Sequence, residues 1–161
     1  MSSDLIPRRM MLIGLMGLAG CGFAPIYGEN AGLRGRVAFE TDQSVAGFRL
    51  RERLEARLGR SATPQFVLVT NVRSSQRSAA ITSGGDISRF NVIGTATWLL
   101  RMADSGQVIH NGEVEAFTSY SASASTIATQ STRDDAEARL SIILADLIVS
   151  RLLILSDGQL L

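Results

Sequence analysis

The chain has 161 residues and a formal net charge of +1, from 16 basic and 15 acidic side chains. This near-neutral balance argues against nonspecific nucleic-acid binding, which a basic surface would drive. All the basic residues are arginine. A GC-rich genome explains that usage, although selection for bidentate phosphate binding stays open at a few positions. The length beyond an N-terminal leader suits one domain with a single core.

The first 20 residues have the organisation of a secretory signal peptide. Arg8 and Arg9 provide the positive n-region, and Met10 to Leu18 form a short apolar h-region. This run is too short for a transmembrane helix, which needs roughly 20 apolar residues. An uncleaved N-terminal anchor or a buried helix is the alternative interpretation. The residues around the arginine pair match a twin-arginine signal poorly.

The sole cysteine, Cys21, ends the segment Leu18-Ala19-Gly20-Cys21, in which small residues precede the thiol. Bacterial lipoprotein signal peptidase needs this arrangement, so we predict a mature chain that begins at a lipidated Cys21. Two or more acyl chains hold a soluble domain at a membrane. Because the thioether consumes the sulfur, no disulfide or catalytic thiol remains. The predicted organisation is a signal peptide (1–20), a lipidated linker (21–34), one domain (35–156) and a C-terminal tail (157–161).

The first half of the predicted domain contains a strand and a helix. Glycine and proline make residues 22–28 extended rather than helical. A short strand is expected over residues 36–40. Capping side chains at 41–44 then start a helix that runs to about Leu58, where Gly59 closes it. The apolar stripe of this helix consists of Leu50, Leu54 and Leu58.

Three strands are predicted next, joined by turns at Ser83–Asp86 and Ala103–Gly106. The first covers residues 66–72, and its continuation to Ile81 stays open. The second, residues 87–102, alternates strictly, which is typical of a half-buried strand. Residues 107–120 form the third strand of this antiparallel meander. In the second strand the expected core face is Phe90, Val92, Ala96, Trp98, Leu100 and Met102, and the polar face is Arg89, Asn91, Thr95, Thr97 and Arg101.

The last predicted element is a long amphipathic helix. Residues 119–132 are rich in serine, threonine and alanine, so we expect a loop or an irregular edge there. Thr132 and Asp135 resemble a capping box, and the helix is expected to run to about Leu155. Its apolar positions follow helical spacing and predict a core helix: Ala136, Leu140, Ile143, Leu144, Leu147, Ile148, Leu152 and Leu155.

The predicted order β-α-β-β-β-α corresponds to an α+β two-layer sandwich, with two amphipathic helices packed on one face of a mixed four-stranded sheet. The sequence offers little chemistry. His110 has no second histidine and no free cysteine to act with, which leaves metal or nucleophilic roles without support. Glu113 and Glu115 are better explained as a solvated strand face. We therefore expect no catalytic residue, no metal and no cofactor.

Two motifs carry a resemblance to a known family. The segment Cys21-Gly22-Phe23-Ala24-Pro25-Ile26-Tyr27-Gly28 resembles the lipobox and opening motif of the lipopolysaccharide-assembly lipoprotein family LptE of alphaproteobacteria, with isoleucine in place of leucine. Downstream, Ser119-Tyr120, Ala128-Thr129, Asp135-Ala136 and Arg139 are similar to a second pattern of that family. The resemblance covers essentially the whole mature chain, and the predicted order of elements fits it.

The resemblance implies a lipoprotein on the periplasmic face of the outer membrane. Proteins of this family fill the lumen of the β-barrel translocon LptD, help it assemble, and bind lipopolysaccharide. No cofactor is implied. Gly22 follows the cysteine, and the absence of aspartate there is consistent with delivery to the outer membrane.

The implied ligand carries phosphates, which arginine binds well. Arg89 is the first candidate contact because it lies near a predicted turn on the polar face, and Arg73, Arg77 and Arg101 follow it. For each, a surface arginine without a ligand is the alternative. The expected contacts with the barrel are Phe23, Pro25, Tyr27 and Tyr120.

Two other functions stay open at this point. One is a lipoprotein accessory subunit of a lipid-transport ABC system, which can have a similar size, anchor and α+β build. The other is a lipid-anchored periplasmic hydrolase, for which the chain lacks a convincing pair of nucleophile and base.

Overall fold

The structure is a computed structural model that describes residues 32–81, 87–122 and 125–159. It confirms the predicted α+β fold and the order β-α-β-β-β-α. Four strands form one sheet, and two helices pack on it. The elements are β1 (Val37–Thr41), α1 (Val45–Leu58), β2 (Phe66–Ile81), β3 (Ile87–Met102), β4 (Val108–Ser121) and α2 (Thr126–Gln159).

The sheet is mixed, as predicted, and its strands follow chain order. β1 lies parallel to β2, with Val37 opposite Phe66. Parallel neighbours need a crossover connection, which α1 provides. β2, β3 and β4 form an antiparallel meander. α1 packs on β1 and β2, and α2 packs on β3 and β4. The two helices also contact each other, so both cover the same face of the sheet.

The boundaries of α1 confirm the predicted capping chemistry. Ser44 is the N-cap, and its hydroxyl accepts a hydrogen bond of 2.9 Å from the Gly47 amide. Gly59 ends the helix with a φ of 78°, a conformation that favours glycine, and its amide donates to the Glu55 carbonyl. The predicted stripe of Leu50, Leu54 and Leu58 is buried.

The strands of the meander are long. β2 continues past residue 72 to Ile81, the longer of the two extents that the sequence allowed. The half of β2 that ends at the hairpin is exposed. The predicted turn at Ser83–Asp86 falls in a part of the chain outside the described residues. The second turn is confirmed, because the Gly106 amide donates to the Met102 carbonyl at 3.1 Å.

The core lies between the sheet and the two helices. The strict alternation of β3 is confirmed, since Val92, Ala96, Trp98 and Leu100 are buried there. Gly94 lets α2 approach the sheet closely. A Cβ at that position would lie 2.7 Å from Cδ2 of Leu140.

The start of α2 differs from the prediction. The helix begins at Thr126, so the second half of the stretch expected to be a loop is helical. The Ser125 carbonyl accepts from the Thr129 amide at 3.0 Å, which closes the first turn. Thr132 lies inside the helix and donates its hydroxyl to the Ala128 carbonyl. Small polar residues are tolerated here because the helix is held by its long packed continuation.

The far end of α2 also extends beyond the prediction. The helix continues to Gln159, past Leu155, so the first part of the predicted tail is helical. At the other end of the domain, Leu33 is 1% exposed and belongs to the core. The packed part of the chain therefore starts within the predicted linker. None of the helices in the described ranges combines the length and apolar character needed to cross a bilayer.

The buried face of α2 is rotated from the predicted stripe. Ile143 and Leu147 were expected in the core but are 39% and 38% exposed. Ala145 and Val149 are fully buried instead. The reason is that α2 packs on the sheet and also against α1, which widens its buried face toward α1. Asp146 accepts two hydrogen bonds from the Arg53 guanidinium, at 2.9 and 3.0 Å, and links the helices.

Candidate functional site

The face of the sheet that carries no helix, called here the open face, contains the four arginines predicted to bind a ligand. Arg89 and Arg101 alternate with the buried residues of β3, so they lie on the open face. The register pairs Arg73 with Thr95 and Arg77 with Asn91, which puts both β2 arginines on the same face. The sheet therefore presents all four candidates on one surface.

Two of these arginines, Arg77 and Arg89, lie toward the β2–β3 hairpin end, and Arg73 lies near the middle of β2. Arg77 is opposite Asn91, and Arg89 lies two residues from Asn91 on β3. Diagonal neighbours of this kind are about 8 Å apart, close enough for two guanidinium groups to hold one phosphate. Arg73 lies four residues from Arg77, or roughly 13 Å along the strand. All three side chains are exposed. We call Arg73, Arg77 and Arg89 the arginine cluster.

Arg101 lies apart from the arginine cluster. It is twelve residues from Arg89 along β3, which corresponds to roughly 40 Å. Its guanidinium pairs with the Glu40 carboxylate at 3.1 Å, across the intervening strand. The structure therefore separates Arg101 from the other three candidates, and a local carboxylate already neutralises its charge.

The members of the arginine cluster differ from most other arginines in having no carboxylate partner. Within the described ranges, no acidic side chain forms a salt bridge with Arg73, Arg77 or Arg89. Seven arginines elsewhere in the described ranges each pair with an acidic side chain: Arg51, Arg53, Arg57, Arg60, Arg101, Arg133 and Arg139. The cluster is thus a positive surface that no salt bridge among the described residues neutralises.

A shallow cleft adjoins the arginine cluster where β4 meets the first half of α2. Arg89 and Arg139 line it together with Ser121 and Asp135. The Arg139 guanidinium lies 3.3 Å from the Asp135 carboxylate and donates to the Ser119 carbonyl at 3.5 Å. Sequence reasoning placed Arg139 in a family pattern but missed it as a candidate ligand residue. Only the packing of α2 on the edge of β4 brings it beside Arg89.

Of the four predicted partner contacts, only Tyr120 lies within the described residues. Tyr120 is 6% exposed, and its ring stacks on Phe90 with 5.3 Å between the ring centroids. Its side chain therefore has little surface to offer a partner. Phe23, Pro25 and Tyr27 lie outside the described residues, as does the predicted lipidation site Cys21.

The residues considered for catalysis are scattered. His110 is half-buried on β4, opposite Leu100. Glu113 and Glu115 are exposed on the open face, as predicted for a solvated strand face. No group of three or more histidine, cysteine, aspartate or glutamate side chains in the described ranges is placed to hold a metal ion.

A second charged group lies on α1, away from the arginine cluster. The Glu55 carboxylate accepts hydrogen bonds from Arg51 at 2.8 Å and from Arg60 at 2.6 Å. The hydrogen bond from Arg51 is the main cause of a pKa below the ordinary value of 4.5 for Glu55, and Arg60 lowers it further against the effect of burial. A lowered pKa in the folded state means that the carboxylate stabilises the fold above the unfolded pKa.

Glu55→Gln is therefore expected to destabilise the domain at pH 7, by up to about 1 kcal/mol because two partially solvated pairs are lost. The difference in free energy of unfolding between variant and wild type should shrink as the pH falls below 4.5. It should vanish below the lower pKa of the folded state, where the Glu55 carboxyl is protonated and as neutral as the glutamine. Urea unfolding at several pH values measures it. Glu52→Gln, an exposed change on the same helix, is the control; an equal, pH-independent loss in both variants would contradict the prediction.

Comparisons with known proteins agree with the architecture. The family model described as LptE, lipopolysaccharide-assembly, matches residues 36–152. No curated protein matches the chain. Among solved structures, a lipoprotein from Caulobacter crescentus CB15 is 22% identical, with a TM-score of 0.67 over 80% of this chain and 96% of its own. Rare lipoprotein B from Shewanella oneidensis is 13% identical, with a TM-score of 0.57 over 72% and 92%.

Proposed function

Because the chain belongs to the LptE lipopolysaccharide-assembly family, we propose that it is an outer-membrane lipoprotein that plugs an LptD-like β-barrel, helps it assemble, and binds lipopolysaccharide on its way to the cell surface. The arginine cluster on the open face is the observation that carries the ligand part of this proposal. The proposal involves no catalytic step and no cofactor.

The membrane anchor in this proposal is the lipidated Cys21. The basic and apolar leader followed by small residues and a single cysteine supports processing as a lipoprotein. Gly22, which is not an aspartate, is compatible with transfer to the outer membrane. The domain would then sit on the periplasmic face of that membrane, held by its acyl chains.

The open face is the surface we propose for the barrel. The interior of a large membrane barrel is polar, so a plug must present polar groups that can form hydrogen bonds with it. Across β2, β3 and β4 this face carries polar rows such as Asn71, Thr97 and Glu113. Phe117, which is 68% exposed on β4, adds an apolar contact. A flat surface of this mixed character suits a protein interface.

Lipopolysaccharide binding is proposed at the hairpin end of the same face. Lipid A is negatively charged through its phosphates, and charge-assisted hydrogen bonds from arginine are among the strongest available to a protein. Arg89 is the principal contact, since it belongs to the arginine cluster and also lines the cleft. Arg73 and Arg77 support it. Arg101 is the weakest of the four candidates because Glu40 already pairs with it.

Arg89→Glu is expected to weaken lipopolysaccharide binding by about tenfold or more, which corresponds to roughly 1.4 kcal/mol. The change replaces a phosphate donor with a group that repels phosphate, on an exposed position that the core does not use. A titration of the purified lipoprotein with lipopolysaccharide measures the effect. Arg34→Glu, an exposed position in the turn before β1, makes the same charge change elsewhere. Equal binding by both variants and the wild type would remove Arg89 from the site.

Co-purification tests the proposed function as a whole. The tagged lipoprotein, extracted from membranes with mild detergent, should bring down an outer-membrane β-barrel of the LptD type. Recovery of an inner-membrane ABC complex with no such barrel would instead support a role as an accessory subunit of a lipid transporter. Mass spectrometry of the co-purified proteins distinguishes the two outcomes.

A further inference from the structure

An exposed apolar row follows α2 on the side turned away from α1. Ile143 and Leu147 are 39% and 38% exposed, and Ile154 is 68% exposed. The same helix buries Leu140, Leu144 and Ile148 completely or almost completely. The row is therefore distinct from the core face, and nothing in the described structure covers it.

The apolar row begins where the arginine-lined cleft ends. Arg139 lines the cleft together with Arg89. Side chains four residues apart lie on the same side of a helix, so Ile143 and Leu147 follow Arg139 along one edge of α2. Ile154 lies on the same side about two turns further along. A hydrogen-bonding cleft, lined by Arg89, Arg139 and Asp135, thus continues directly into an apolar track.

The nearer part of the track, up to Leu147, is within the length of one layer of acyl chains. A helix rises 1.5 Å per residue, so Leu147 lies about 12 Å and Ile154 about 22 Å from Arg139 along the axis. The acyl chains of one leaflet fill roughly 15 Å, half of the hydrocarbon core of a bilayer. An acyl chain of that length, with its phosphorylated head at the cleft, would therefore pass Ile143 and Leu147 and end short of Ile154.

We propose that Ile143 and Leu147 bind an acyl chain of the same lipopolysaccharide molecule whose phosphate lies between Arg89 and Arg139. This inference rests on the proposed function and specifies the ligand as an acylated, phosphorylated amphiphile, recognised by head and tail together. The guanidinium group of Arg89 and the continuity of the cleft with the row favour such a ligand. A protein contacting the row alone would leave the adjoining positive charge of Arg89 without a partner.

The test uses two probes, hexa-acylated lipid A and its deacylated, bis-phosphorylated disaccharide. The full-length lipoprotein is compared with an Ile143→Asn, Leu147→Asn variant. We expect roughly tenfold weaker binding of lipid A, because two apolar contacts are lost, and unchanged binding of the deacylated disaccharide. Thermal unfolding verifies that the variant is folded.

Ile142→Asn and its double variant with Ala138→Asn provide the matched control. Ile142 is 41% exposed, one residue from Ile143, and lines the groove between α1 and α2 with Ala138. These controls should bind lipid A as the wild type does. If the wild type binds neither probe, the proposed function itself fails. If the wild type binds lipid A and the Ile143→Asn, Leu147→Asn variant binds it equally well, only the acyl track is wrong. The same conclusion holds if that variant no longer co-purifies with the barrel but still binds lipid A.

Discussion

Leu140→Ala is expected to lower the free energy of unfolding by about 2–5 kcal/mol, the range for buried leucines replaced by alanine. The Leu140 side chain is 2% exposed and packs from α2 against the sheet. Its Cδ2 atom fills the space that a side chain at Gly94 would need. Urea unfolding of the purified domain gives the difference directly. Leu147→Ala, on the exposed side of the same helix, serves as the control and should cost much less.

A double-mutant cycle with Gly94→Ala makes the prediction more specific. Alone, Gly94→Ala should destabilise the domain by about 1–3 kcal/mol, because the new Cβ overlaps Leu140. In the Leu140→Ala background the same methyl group enters the vacated space, so its cost should fall or change sign. Strictly additive effects would show that α2 and β3 do not approach each other at this point.

Cys21→Ala is expected to abolish membrane attachment while leaving the domain folded. Each buried methylene of an acyl chain contributes about 0.8 kcal/mol, so losing all chains removes the anchor entirely. We expect folding not to require this residue, since residues between Leu33 and Leu152 already form a core in the described structure. Fractionation and mass spectrometry report the attachment, and circular dichroism reports the fold.

Gly22→Asp is the control for this experiment, because the variant should still be acylated but stay at the inner membrane. A Cys21→Ala protein that remains in the membrane fraction would contradict the lipid anchor. A Cys21→Ala protein that does not fold would show that the N-terminal segment takes part in the core.

The elements with strong local signals were predictable from the sequence. Strict alternation predicted β3, and the capping side chains at 41–44 together with Gly59 predicted the ends of α1, because each signal acts through neighbouring residues. The start of α2 was not predictable in this way. Residues 126–132 have no apolar periodicity, and their helix continues into a part of α2 that is held against β4, for example by the 2.9 Å hydrogen bond from the Thr118 hydroxyl to the Ala136 carbonyl. Local patterns do not contain such long-range contacts.

The candidate site was predictable only in part. Alternation assigned Arg89 and Arg101 to a polar face, but their separation and the pairing of Arg101 with Glu40 depend on the order and register of the strands. The position of Arg139 beside Arg89 depends on how α2 packs against β4. Likewise, helical spacing alone could not show that Ile143 and Leu147 are exposed. Their exposure follows because α2 packs against α1 as well as the sheet, so its buried face is turned toward α1.

Depletion of the protein in living cells tests the central claim most directly. Surface lipopolysaccharide and the amount of correctly folded LptD-like barrel are measured together as the protein is depleted. If this lipoprotein plugs the barrel and helps it assemble, both quantities should fall together, and restoring the wild-type gene should restore both. Normal surface lipopolysaccharide with a fully matured barrel after complete depletion would contradict the account.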